Sequence, residues 1–123
     1  MLSKDNLTIG IYARNYLLSH EKITNLVENR IFPGVAPEGS QTPFIMYDRD
    51  SYDVQYTKTG AYGEEANIVY EIVSDNYNSG LEVAVAMYEI LQGKHGGFTF
   101  DIYGSSEFCK EQKHRQILIF NIK

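Results

Sequence analysis

The sequence predicts an α+β domain with a mainly antiparallel sheet, and three observations carry that prediction. Glu65 to Val73 alternates with period two, as a strand with one buried face does. Asn76 to Gln92 repeats apolar residues at helical spacing. With 123 residues, 43% of them hydrophobic, the chain has enough apolar surface for one core, and no repeat or linker divides residues 1–123 into more than a single domain.

The elements follow in order. Ile9, Tyr12, Ala13, Tyr16 and Leu17 form a stripe that predicts a helix from about Leu7 to Ser19, with Ser3 or Asp5 as its cap. A short helical turn, Glu21 to Val27, presents Ile23, Leu26 and Val27 to the same core. Pro33, Gly34, Pro37 and Gly39 then demand a shaped loop or edge strand, because proline lacks a ladder donor and glycine tolerates positive φ. From Phe44 to about Tyr56 the chain reads as a strand, buried at Phe44 to Tyr47 and solvated around Asp48, Arg49, Asp50 and Asp53. Thr57 to Gly63 reads as a flexible turn. In the next strand Ile68, Tyr70 and Ile72 point one way, and Asn67, Val69, Glu71 and Val73 the other. The helix after it carries Leu81, Ala84, Val85, Tyr88 and Leu91 on its predicted apolar face, cap candidates at Asn76 to Ser79, a capping-box spacing at Ser79 and Glu82, and Gly93 at its end. Two closing strands, Phe98 to Tyr103 and Gln116 to Ile122, flank a polar loop with Cys109. The predicted order is α-α-β-β-β-α-β-β: an N-terminal helix, a short helical turn and a second helix packed on the sheet.

Aromatic residues reach 13%, ten tyrosines and six phenylalanines without tryptophan, which suits half-buried strands and subunit interfaces alike. The net charge of −5 is unevenly spread. Residues 48–89 hold nine acids against two bases, Arg49 and Lys58, whereas residues 107–123 hold four bases against two acids. That polarity can align neighbours head to tail, or it can be a solvated acidic face; it argues against a protein that clamps nucleic acid. One cysteine excludes an intramolecular disulfide. No run approaches a membrane span, and Met1 to Asp5 lacks a signal-peptide pattern, so a cytoplasmic protein with no membrane partner is expected.

No pattern of catalytic or metal-ligating residues emerges, so no enzyme, cofactor or metal is expected. His20, His95 and His114 have no second ligand at metal spacing and read as surface histidines. Cys109 lies in no activating context. Asp48, Asp50 and Asp53 lack the glycine turn and trailing glutamate of a calcium loop. Gly93 to Gly97 follows a helix, the wrong order for a phosphate cradle.

Residues 23–47 carry a resemblance. Leu26-Val27-Glu28-Asn29-Arg30-Ile31, then the proline-rich loop Phe32 to Gly39, then Pro43-Phe44-Ile45-Met46-Tyr47 resemble the tail-completion (tail-terminator) proteins of long-tailed bacteriophages, and the element order agrees along nearly the whole chain. Asp75-Asn76-Tyr77 departs from many relatives. The resemblance implies a structural protein that forms a ring, usually hexameric, which caps the tail tube and joins it to the head connector while DNA passes the lumen without specific binding. Assembly would take place in the host cytoplasm and the product would sit in the virion. A small host cytoplasmic binding or adaptor domain is the alternative. Under the ring reading, Phe32, Pro33, Val35 and Pro37 of the stiffened loop and Tyr52, Tyr56 and Tyr62 of the following arm are the candidate inter-subunit contacts.

Overall fold

The computed structural model describes residues 7–57 and 60–123, with side chains for all of these except 51–57 and 60–64. Among the described residues are helices α1 (Ile9–Leu18), α2 (Glu21–Val27) and α3 (Tyr77–Leu91). The strands are β1 (Ile31–Pro33), β2 (Phe44–Thr57), β3 (Gly60–Ser74), β4 (Gly93–His95), β5 (Phe98–Lys110) and β6 (Lys113–Ile122). They form one sheet in the order β1-β2-β3-β6-β5-β4, with β1 parallel to β2 and every other pair antiparallel. The fold is the expected α+β architecture with one short strand more.

Strand alternation makes the core. Ile45 and Tyr47 of β2, Ile68, Tyr70 and Ile72 of β3, Leu118, Phe120 and Ile122 of β6 and Phe100 of β5 are buried with the helices. Ile9, Ala13 and Leu17 of α1 sit four residues apart and share one face; Ile23 and Val27 do the same for α2. Glu28, at φ 56, ends α2 and turns the chain toward β1.

Helix α3 begins at Asn76, whose side chain accepts a hydrogen bond from the Ser79 N–H at 2.8 Å. Asn76 is therefore the cap, and the expected Ser79–Glu82 box is not used. The predicted apolar face is also corrected. The buried residues are Gly80, Val83, Ala84, Ala86, Met87 and Leu91, while Leu81, Val85 and Tyr88 are exposed. Small side chains let the helix settle close to the sheet: a Cβ on Gly80 would lie 2.6 Å from the Oγ of fully buried Ser74. Gly93 stands directly after the helix end at φ +114, the positive-φ residue expected there. Gln92 is the extended end residue, and Gly93 opens β4.

Two loops turned out to be paired backbone. Where Thr57 to Gly63 read as a turn, β2 runs to Thr57 and β3 starts at Gly60. The polar loop expected around Cys109 is the distal half of a long β5–β6 hairpin, with Cys109 paired to His114 and a two-residue turn at Glu111 and Gln112, both at positive φ. His114 thus belongs to a strand.

The histidines are half-buried rather than on the surface. His95 lies parallel to Tyr16 at 3.9 Å and against Phe100 at 4.5 Å. Its Nε2 is 2.8 Å from the Leu91 carbonyl and its Nδ1 2.8 Å from Tyr12 Oη. A carbonyl only accepts, so Nε2 donates to it, and in the neutral imidazole Nδ1 accepts from the Tyr12 hydroxyl. This cluster ties α1 to the β4–β5 turn. Gly96 at that turn has φ +60, and a Cβ there would lie 2.2 Å from Tyr12 Oη.

Tyr70 is the core's least comfortable residue. Its hydroxyl is buried without a hydrogen-bond partner among the described residues, and burial, with Tyr47 adding a smaller push, drives its phenol far above the ordinary value. A raised folded-state pKa means stability that is intact below the unfolded value and lost as pH climbs past it. Tyr70→Phe is expected to raise unfolding free energy at pH 7 by about 1 kcal/mol, since an unmatched buried hydroxyl is removed. It is also expected to flatten the loss above pH ~10 by up to ~1.4 kcal/mol per pH unit. Urea titrations of both proteins from pH 7 to 11 check this; equal alkaline slopes would refute it.

Candidate interaction surface

The motif in residues 26–47 turns out to be a structural clasp. After α2 ends, Arg30 donates from Nε to the Pro43 carbonyl at 3.0 Å, and the Ile45 N–H reaches the Arg30 carbonyl at 2.9 Å. Both ends of the proline-rich loop are thereby held together beside the cis Thr42–Pro43 bond. Gly34 donates to the Tyr47 carbonyl at 2.9 Å, and Ser40 Oγ donates to the Pro37 carbonyl at 2.6 Å. Asp75 pairs with Lys113 and accepts a hydrogen bond from Thr42 Oγ1, and the Lys113 contact first, then Thr42, holds its carboxyl below the usual range.

On this clasp Phe32 is half-buried on the sheet face opposite the helices, its ring edge-on to Phe44 with centroids 6.3 Å apart. Pro33 and Pro37 are exposed, and Val35 is 83% exposed. Tyr52 and Tyr56 lie in β2 and Tyr62 in β3, but their side chains fall outside the described residues. Their backbone forms an arm. β6 pairs with β3 only over Ala66–Ser74, so the β2–β3 pairing from Asp53–Glu65 to Thr57–Gly60 continues as a two-stranded ribbon beyond β6. The loop and the arm therefore occupy separate parts of the molecule.

Sequence reasoning missed a third surface, on α3. Leu81, Val85 and Tyr88 follow at i, i+4 and i+7 and are 38%, 49% and 45% exposed. The helix is apolar on two sides, and only one of them meets the sheet. Beside it α2 lies close enough for Lys22 to pair with Glu89 at 2.6 Å. Between the helices runs a groove of about 700 Å³ with Leu26, Leu81, Val85 and Ala86 among its lining and Glu82 on its lip. A signal existed: Asn76 to Gln92 has apolar residues at more positions than one face can hold.

Among the described residues no group of three or more His, Cys, Asp or Glu side chains is placed to hold a metal ion. No described helix is long and apolar enough to cross a membrane.

The described chain defines a two-layer α+β class: three helices on one face of a mixed, mainly antiparallel sheet, with a projecting two-stranded arm. The same fold occurs in a solved structure described as the virion of a native gene transfer agent (GTA) particle. The chain is 18% identical to the matched chain, with a TM-score of 0.76 over 89% of each. At that identity the likeness is one of fold. No protein-family model matches the sequence, and no curated protein does.

Burial separates interface candidates from core on α3. Leu81→Gln should change unfolding free energy by no more than ~0.5 kcal/mol, as surface substitutions do. Met87→Ala, at a fully buried position of the same helix, should cost about 2–5 kcal/mol. Chemical denaturation of the two variants decides between this assignment and a Leu81 that belongs to the core.

Proposed function

We propose that this chain is a structural component of a phage-like virion, a tail-completion protein that works as one subunit of a ring. In this reading six copies cap the tail tube and join it to the head connector, DNA passes the lumen without specific binding, and the protein ends in the neck of the virion. The role is structural and non-catalytic. The observation that carries the proposal is the fold shared with a gene transfer agent virion chain across 89% of both chains. The sequence resemblance in residues 23–47 adds to it, because those letters are the ones that build the loop clasp.

The surface supports the reading further. A ring needs two different patches on each subunit. The stiffened loop with Phe32, Pro33, Val35 and Pro37 loses little entropy on docking, and the arm with Tyr52, Tyr56 and Tyr62 extends the backbone away from the core. A two-stranded ribbon is marginal alone in water, so a neighbour would hold it.

The purified protein is expected to be monomeric in dilute solution by light scattering and to appear as rings on the ends of tail tubes by electron microscopy. Tubes that stay bare in its presence would exclude the assignment. Deleting residues Thr57 to Gly63 should leave a chain that melts within a few degrees of the native one but does not complete tails. Full complementation by that deletion would remove the arm from the interface.

A further inference from the structure

The groove between α2 and α3 has a counterpart on the same chain. Its apolar floor is bordered by acid: α3 carries Glu82 and Glu89 and no base, and the nearby Lys22 is already paired with Glu89. Glu82 is exposed and has no ion pair among the described residues. The end of the β5–β6 hairpin presents the opposite character. Glu107 reaches back to Tyr77 of α3 at 2.9 Å, so the next residue, Phe108, lies on the helix-free side, and it is 44% exposed. Two residues on, Lys110 is exposed with no carboxylate partner among the described residues, whereas Lys113 and Arg115 are matched by Asp75 and Glu71.

We infer that the α2–α3 groove of one copy receives the β5–β6 hairpin end of the next copy, with Phe108 on Leu81 and Val85 and Lys110 beside Glu82. The occupant is a second copy of this chain because each side supplies what the other lacks: an apolar channel with an unmatched acid, and an exposed aromatic residue with an unmatched base. At about 700 Å³ the groove holds a chain segment rather than one side chain. The two surfaces share no residue, so a copy engaged through its groove keeps its hairpin free for another. Such a contact is heterologous and generates a ring or a filament. It rests on the ring reading for closure, and the pairwise contact is tested both without tails and on them.

The native chain has one cysteine, Cys109, exposed beside Phe108. It serves as the probe. A tagged V85C/C109S chain is mixed with the untagged native chain under oxidised glutathione, concentrated alone and again on tail tubes, and disulfide-linked heterodimers are quantified. An I11C/C109S chain, with its cysteine at an exposed α1 position, sets the background. The expected result is a heterodimer yield several-fold above that background in at least one condition. K110E in the untagged chain should reduce it to background, and adding E82K to the tagged chain should restore it. A yield equal to the I11C control in both conditions, or one that K110E does not change, overturns the contact. Capping of tail tubes, read separately, would still stand or fall by itself.

Discussion

β3 is paired along both edges, to β2 and to β6, and its inward row of Ile68, Tyr70 and Ile72 is almost entirely removed from solvent. That burial is the constraint on which the other elements depend. A strand of period two offers a flat apolar row, and a helix must come down onto it closely enough to leave no void. Helix α3 does so through small residues. Gly80 passes over Ser74, Ala84 keeps the approach short, and Val83, Met87 and Leu91 fill the space that remains. The row also makes Tyr70 bury a hydroxyl that has no hydrogen-bond partner among the described residues.

Close approach on one side has a consequence on the other. Because the side of α3 that carries Gly80 and Ala84 faces the sheet, the apolar residues of its other side, Leu81, Val85 and Tyr88, face outward. α2 covers part of that stripe and leaves a groove. The packing that completes the monomer thus also creates an apolar surface that the monomer does not cover. For an isolated domain such a surface is a liability, and for a subunit it is a docking site.

The rest of the molecule fixes the spatial relation of the exposed segments. Arg30 and the Pro43 carbonyl close the proline-rich loop at its base. The stack of Tyr12, Tyr16, His95 and Phe100 fastens α1 to the far edge of the sheet. Loop, groove and hairpin end are therefore carried on one packed core, and placement on a packed core lowers the ordering cost of association.

The element order, the inward face of β3, the α1 stripe and the span of α2 were legible in the sequence, because each rests on a local period that packing did not override. The shaped loop was legible as well, since proline and glycine restrict the backbone wherever they stand. Three features were not. The inner face of α3 could not be read from periodicity, because a helix apolar on two sides has no single preferred direction until a sheet selects the side on which Gly80 and Ala84 allow close approach. The distal β5–β6 hairpin looked like a loop because its strands are polar and Glu111 and Gln112 lack the glycine or asparagine that marks a tight turn. His95 looked solvent-facing because its partners, Tyr12, Tyr16 and Leu91, are distant in sequence or lie across a helix end. Local chemistry by itself determined the helices, the alternating strand β3 and the proline-rich loop. Which faces remain open to a partner was decided only when non-local packing chose, among several apolar surfaces, the one to bury.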